Sequence, residues 1–596
     1  MVRKFFSFNF DSSKIAILLV AILVTFINLN SKPWRNGRVI HNDIISYYCY
    51  LPAAIIHHDL SFEFTKNNPE FYADKYWPLK TSEGKDVVKM TMGLAFLYLP
   101  FFLVGHFTAL ISGFPADGYS LPYLFSLQIS AIFYLILGLI ILRHILLRWF
   151  KPRVVGIVLF TTLIGTNMLH YSTLEATMSH VYSFFLYSLF FLLTVKFWEL
   201  PKIKYWIYLG FATGLITLVR PTNGIILIFF FLWGATSFSM FKERVFFILK
   251  SWKFLVFAML LALTLWIPQL LYWKYATGHW LYYSYNNEGF FFLKPHIIDG
   301  LLSYRKGWLV YSPLMILPLA GLVLLLKKKR FDWFLPITVF FLLNVYIIFS
   351  WWSWWYGGGL GARPLIESYA LLSLPFAYIL NWIDEKRWKK IIGYSLVIVL
   401  TSYGLLVNFQ YRYMAIHWDS MSKAAHWDSF LRLKPSGRLN YLLQTPDYES
   451  AIDGKKETFQ KQKYLPIPQN VIYEFSCDTI DNASVSISPK GSKSIMVNKS
   501  NQFGISADIT LRPNRKYAAQ IWRYGNPNAM LVVQNSDINF YINTKTTLDI
   551  DSTGREKLVI EFTTPIADNP VPIKVYVWNP YWIKAYFDDL TVGEVQ

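Results

Sequence analysis

Long apolar runs separated by short basic clusters recur along this chain as far as residue 410. A helix needs about 20 mostly apolar residues to cross a bilayer. Such runs occupy residues 14–30, 89–112, 121–142, 154–171, 178–198, 205–220, 222–240, 254–273, 307–326, 332–350, 365–383 and 391–410. Only 16% of the residues are charged and 54% are hydrophobic, against roughly 25% charged in soluble domains. A soluble globule is therefore excluded, and the expected fold class is a polytopic α-helical membrane protein.

The basic residues set its orientation. A net charge of +20 would suggest nucleic-acid binding in a soluble protein. Here Lys196, Lys202 and Lys204, Lys242, Arg244 and Lys250, Lys327–Arg330 and Lys386–Lys390 fill short loops after alternate runs, so no nucleic-acid partner is expected. With Arg143–Arg153 and the N-terminus they mark the cytoplasmic side. Loops 31–88, 172–177, 274–306 and 351–364 and the tail beyond residue 410 then face the periplasm, or the lumen in a eukaryote. An inside N-terminus and an outside tail require an odd number of crossings. Residues 89–112 contain Gly93, Pro100 and His106 and are expected not to cross fully. That leaves eleven spans, with thirteen as the alternative. The run Ile15–Ile27 follows Arg3, Lys4 and Lys14, and no A-x-A-like site comes after it, so it reads as an uncleaved first span. Two cysteines, Cys49 and Cys477, exclude a disulfide framework and a multi-cysteine metal site. These features fit a bacterial inner membrane.

Three segments follow: a membrane domain (1–410), a polar connecting segment (411–463) with HWDS at 417–420 and 426–429, and a tail (464–596). In the tail, VIYEF (471–475), KYAAQIW (516–522), KLVIEF (557–562), IKVYVW (573–578) and KAYFDDLTV (584–592) alternate in period two. Pro513-Asn514, Gly525-Asn526-Pro527 and Asn579-Pro580 supply turns. The pattern predicts an exoplasmic β-sandwich, and the ending FDDLTV resembles the last strand of jelly-roll carbohydrate-binding modules.

Candidate chemistry gathers in the outside loops. The first contains GRVIHNDIISYYCYLPAAIIHHDLSFEF (37–64). Ile44, Tyr47, Tyr48, Leu51 and Ile55 form a helical stripe, which predicts a helix lying on the membrane surface with Asp43 at its N-terminal end. Two readings of Asp43 stand: a helix N-cap or a general base at the water–lipid boundary. Arg220 ends a span beside Pro221 and Asn223; it either snorkels to head groups or grips a lipid phosphate through charge-assisted bonds. Loop 274–306 sets Asn286, Glu288, Lys294, His296, Arg305 and Lys306 among aromatics. The aromatics either stack on a sugar or form an interfacial belt, and the belt accounts less easily for Glu288. Trp354-Trp355-Tyr356-Gly357-Gly358-Gly359 precedes Gly361-Ala362-Arg363-Pro364 and Glu367. The glycines allow close backbone approach, but no strand or Lys-Ser/Thr makes them a nucleotide loop. Arg363 and Glu367 either pair on one helix face or touch substrate. The histidines at 41, 57, 58, 106, 170 and 180 lack metal-ligand spacing, so a structural zinc is not expected.

A single helix followed by a long exoplasmic loop with an acid near its start resembles the GT-C superfamily of integral-membrane glycosyltransferases. So do ITLVRPTNGIILI (216–228), GHWLYYSYNNEGFFFLKPHIIDGLLSYRKGWLVYSP (278–313) and WWSWWYGGGLGARPLIESYALLSLP (351–375). That superfamily includes protein O-mannosyltransferases and the lipid A aminoarabinose transferase, and the matching pieces cover most of residues 14–410. The resemblance implies an inverting transferase taking sugar from a polyprenyl-phosphate donor to an exoplasmic acceptor, be it glycan, lipid or protein. It implies Asp43 as catalytic base, Arg220, Lys294 and Arg305 on the donor phosphate, and Tyr47, Tyr48, Glu288, Trp355 and Arg363 on sugar or acceptor. Asn42-Asp43 stands where the mannosyltransferases have paired Asp-Glu. No metal ligand is assigned, and a divalent ion at Asp43 stays open because some relatives use one. The alternatives are a glycolipid transporter or flippase, whose internal repeats are not evident here, and a non-catalytic glycan-binding scaffold.

Overall fold

Among the described residues, seven helices are long and apolar enough to cross a bilayer: Ser12–Arg35, Gly93–Ser112, Leu121–Leu146, Ser179–Glu199, Trp252–Thr277, Phe331–Phe349 and Arg387–Arg412. Shorter apolar helices at Asp43–Ile56, Pro152–Ile164, Ile203–Val219, Pro221–Leu232 and Pro313–Lys327 pack among them. The structure, a computed structural model, describes residues 11–81, 83–455, 468, 470–479, 486–487, 493–535, 540–567 and 569–595. Residues 456–463 of the connecting segment and 464–467 of the tail lie outside the described residues. The chain is a polytopic helical membrane protein with a C-terminal β-sandwich. It divides into two compact units, Met1–Asn408 with Tyr448–Lys456, and Phe409–Asp447 with Glu457–Gln596.

In the first unit, several helices depart from the apolar runs that encode them. Gly93–Ser112 is one continuous helix through Pro100, where the sequence suggested an incomplete crossing. The run 154–171 yields only Pro152–Ile164; residues 165–174 continue as buried turns with one 3-10 turn at His170–Ser172. The run 222–240 shortens to Ile226–Leu232 because Gly234 turns the chain at φ +71°. The expected surface helix also differs. Asp43–Tyr48 is helical, but Ile44, Tyr47, Tyr48 and Leu51 are all buried, so the stripe packs within protein and does not lie on lipid.

Close helix contacts depend on small residues. A Cβ added at Gly210 or Gly214 would fall 2.5 Å from the Ala258 carbonyl oxygen or 2.7 Å from that of Ala262. The helices Ile203–Val219 and Trp252–Thr277 thus touch backbone to backbone, the small-xxx-small packing of membrane helices. Gly404 meets the Gly165 carbonyl in the same way, at 2.1 Å. The irregular segment after Gly165 satisfies its buried polar groups through side chains, as buried backbone must. Asn408 Nδ2 donates to the Thr166 carbonyl (2.9 Å), and Asn408 Oδ1 accepts from the His170 amide (3.1 Å).

The second unit is a two-sheet sandwich. Its strands are β1 (Asn470–Phe475), β2 (Ser486–Ile487), β3 (Lys493–Val497), β4 (Phe503–Leu511), β5 (Lys516–Gly525), β6 (Met530–Asn535), β7 (Phe540–Thr544), β8 (Thr547–Ile550), β9 (Glu556–Thr563), β10 (Val571–Trp578) and β11 (Ala585–Glu594). One sheet runs β8-β9-β5-β11-β3-β2, with β1 also on β11; the other runs β4-β10-β6-β7, and the described pairs are antiparallel. Alternation decides the faces. On β10, Val571, Ile573, Val575 and Val577 enter the core, while Pro572 and Lys574 point to solvent.

Candidate active site

Asp43 is the first residue of its helix; the cap position belongs to Asn42, at φ +50°, ψ −134°. That conformation is strained for a non-glycine residue, of order 1–3 kcal/mol. The strain sits directly before the acid. No side-chain cap bond forms at this end. Instead Asp43 Oδ2 accepts from Arg363 Nη2 at 3.1 Å, across 320 residues of sequence, with a third of the Asp43 side chain still open to solvent.

Arg363 opens the 3-10 turn Arg363–Ser368. With three residues per turn, positions i and i+4 do not stack, so Arg363 and Glu367 do not pair on one face. Each finds a different partner. Glu367 lies between His180 Nδ1 (3.2 Å) and Arg220 Nη1 (3.4 Å), and both Glu367 and His180 are almost wholly buried. Tyr47 lies close enough to Arg220 for the two to interact electrostatically. Arg220 follows the helix Ile203–Val219, whose end is wedged in place. A Cβ at Gly93 would come 2.2 Å from the Val219 amide, and Thr91 Oγ1 donates to the Leu218 carbonyl at 2.6 Å.

Glu175 supplies a further charge that sequence reasoning missed. It sits 3.4 Å from His170 Nε2 on the buried segment after Gly165. Burial raises its carboxyl pKa, but His170, Arg363 and His41 outweigh that and hold it down to about 2. It is therefore a partly buried anion on the flank of Arg363. Thr177 of the same segment donates to the Val39 carbonyl at 2.6 Å, which ties it to the chain just before Asp43. Arg363 is driven upward by Asp43, Tyr171 and Glu175 against the downward pull of burial, so it stays a cation.

The glycine stretch serves this geometry. Gly359 adopts φ +149°, and a Cβ there would come 2.3 Å from the Tyr171 hydroxyl, which accepts from the Leu360 amide at 2.9 Å. Lys306 donates to the Gly359 carbonyl, so a buried cation closes the other side of the loop. Three buried polar atoms in the cluster, Arg363 Nε, Glu367 Oε2 and His180 Nε2, have no hydrogen-bond partner among the described residues. Buried polar atoms rarely stay unpaired, so these three are available to a polar ligand or to water. No three of His, Cys, Asp and Glu converge as a metal-holding group among the described residues.

The remaining sequence candidates divide. Glu288 pairs with Lys89 and accepts from Trp352 Nε1 at 3.2 Å. Tyr285, beside it, lies in electrostatic range of Tyr47, Arg220 and Asp43, so the second loop reaches the first. Arg305 lies 5.3 Å above the Trp355 ring, and the Trp355 indole donates to the Tyr448 hydroxyl at 3.4 Å. Trp355 is buried against these neighbours and offers no open face. Tyr48 is turned away: its hydroxyl donates to the Gly118 carbonyl, and its ring packs on Tyr98, Phe102 and Tyr119. Lys294 is exposed, and no described contact joins it to the Asp43 cluster.

No family model and no curated protein matches the chain. Among solved structures it is similar to the archaeal oligosaccharyltransferase AglB from Archaeoglobus fulgidus in complex with an inhibitory peptide and a dolichol-phosphate. That match has 14% identity over 76% of this chain and 61% of that one, with a TM-score of 0.40. The apo form of the Archaeoglobus fulgidus oligosaccharyltransferase matches at 15% identity over 76% and 61%, TM-score 0.41. Arabinosyltransferase EmbB from Mycobacterium smegmatis matches at 10% identity over 85% and 60%, TM-score 0.30. The chain spans about three fifths of the length of these structures.

Proposed function

We propose that the membrane unit is a glycosyltransferase that moves a sugar from a polyprenyl-phosphate donor to an acceptor on the outer side of the membrane. The observation that carries this reading is the meeting of Asp43 and Arg363 beside Arg220, Tyr47 and Glu367. In this scheme the acceptor hydroxyl oxygen attacks the anomeric carbon as its proton passes to Asp43. The bond from that carbon to the phosphate oxygen breaks, and the electron pair leaves on the lipid phosphate. Arg220 meets the charge developing there, and a single displacement inverts the anomeric centre. Arg363 holds the Asp43 carboxylate in place through their 3.1 Å contact. Lys294 and Arg305 are the second-loop cations that the resemblance assigns to the same phosphate; Arg305 is buried beside Trp355, whereas Lys294 is exposed.

An apolar groove of 550 Å³ supports the lipid half of the reading. Tyr50, Leu51 and Ile55 of the first loop line it together with Phe96, Leu271 and Tyr275. Met92 also lines it, beside Gly93, which packs on the Val219 amide, so an isoprenoid chain held there would lie near the helix end that carries Arg220. The acceptor is a glycan, lipid or protein, and the setting is a bacterial inner membrane with the sandwich on the periplasmic or extracellular side.

The test is lipid mass spectrometry on membranes carrying the native protein or Asp43→Asn at equal level. Loss of a general base typically lowers the rate by about 10²–10⁴-fold. The expected result is a polyprenyl-phosphate sugar that accumulates with Asp43→Asn alone, identified by its mass. Equal lipid profiles, with the native protein folded, would overturn the assignment.

A further inference from the structure

The sandwich displays an apolar surface that its core does not require. Tyr581, Trp582 and Ile583 follow one another on the turn between β10 and β11, with 44%, 70% and 67% of their surfaces exposed. Phe503, paired with Trp578 in the register of β4 and β10, is 60% exposed.

The turn is held firmly. Asn579 is fully buried; its Nδ2 donates to the carbonyls of Val497 (2.9 Å) and Ile583 (2.8 Å). Its Oδ1 accepts from Asn526 Nδ2 at 3.0 Å and from the Tyr581 amide at 3.2 Å. One amide side chain thus braces both ends of a turn that holds three apolar residues outward. Lys499 Nζ lies 5.0 Å over the Trp582 ring, and the exposed Lys584 follows the turn. No acid occurs in residues 499–503 or 579–584.

We propose that this turn docks on the anionic head-group surface of the bilayer that the same chain spans. Trp and Tyr prefer the membrane interface, and lysines at the surface are drawn to anionic lipids. The chemistry favours lipid over glycan. Lys499 covers one face of Trp582 that a sugar ring would need, Ile583 and Phe503 offer no hydrogen bond, and Asn579 spends its amide internally. The segment arriving from the last membrane helix also joins the sandwich here. A Cβ at Gly437 would fall 2.1 Å from the Lys545 carbonyl oxygen and 2.4 Å from that of Pro527. Pro527 follows Asn526, the residue that braces Asn579.

The experiment uses the full chain in vesicles of phosphatidylcholine and phosphatidylglycerol. Both native cysteines are buried, so a cysteine introduced at the surface is labelled selectively with an environment-sensitive fluorophore. Trp582→Cys carries the probe on the turn. Tyr581→Cys carries it with Trp582 intact, so loss of the docking tryptophan cannot itself mask the contact. Ser552→Cys, in the exposed turn between β8 and β9, is the solvent reference. The expected result is several-fold weaker iodide quenching at 581 and 582 than at 552, with strong quenching by lipid-attached nitroxides at 581 and 582 only. Removing phosphatidylglycerol weakens that difference. Iodide access at both turn positions equal to that at 552 would overturn the proposal. So would an emission shift that appears only when an oligosaccharide is added, which would assign the turn to glycan.

Discussion

At the scale of single residues, the site is a set of charges that need one another. Asp43 leans on Arg363, Glu367 on Arg220, and Glu175 on His170 and Arg363. Removing one member of a buried pair leaves an uncompensated charge, which costs more than the pair contributes when intact. Glu175 makes this measurable through pH. Its carboxyl is held at about 2 in the folded protein, below its ordinary 4.5. A depressed acid contributes stability fully present above the unfolded value and lost as pH falls through the folded one. Glu175→Gln should therefore unfold at a lower temperature than the native protein at neutral pH. The gap should close as the pH drops from about 4.5 toward about 2, read by intrinsic fluorescence in detergent. A gap that stays constant with pH would exclude the ionised role. Asp43, Arg220 and Arg363 stand out in the sequence because charged residues beside apolar runs are conspicuous. Glu175 and His180 carry the same signal, ionisable groups inside an apolar stretch, but two turns of ordinary polar residues around Glu175 blur it.

At the scale of elements, the placement of Arg220 depends on contacts that admit no side chain. The helix before it rests on Trp252–Thr277 through Gly210 and Gly214, and its end is wedged by Gly93. Gly214→Leu should force these helices apart at a cost of about 1–3 kcal/mol and lower the melting temperature in detergent. Gly289→Ala, with nothing within 4 Å of the new Cβ, should leave it unchanged. Equal melting for both variants would mean the helix contact is looser than described. Hydrophobic length announced these helices well but not their ends. The run 154–171 breaks at Gly165 because Gly404 of another helix presses against the carbonyl there, a constraint absent from the local sequence. The stripe from Ile44 to Ile55 misled for a related reason: one apolar face looks the same whether lipid or protein covers it, and here protein buries Ile44, Tyr47, Tyr48 and Leu51, leaving Ile55 half-buried.

At the scale of the molecule, each of the two units has its own core. The sandwich contains a buried ionic centre in which Arg523 Nε meets Glu556 Oε2 at 3.1 Å and its Nη2 meets Thr547 Oγ1 at 3.0 Å. Arg438, from the segment leading into the sandwich, takes the other Glu556 oxygen. Glu556→Ala would leave Arg523 buried without a counter-charge, a loss of about 3–5 kcal/mol. Calorimetry of the full chain should then show the sandwich transition falling while that of the membrane unit holds. Both transitions shifting together would mean that the units unfold as one. The sequence by itself determined the class of this protein: apolar runs of spanning length must become helices, and period-two alternation beyond residue 470 must become sheet, because each local pattern has one way to hide its apolar face. Tertiary structure alone decided which charges meet. Asp43 and Arg363 stand 320 residues apart, and no local pattern records a partner that distant; the packing of the helices and the hydrogen bonds of Thr177 to Val39 and of Leu360 to Tyr171 bring the two loops to one place.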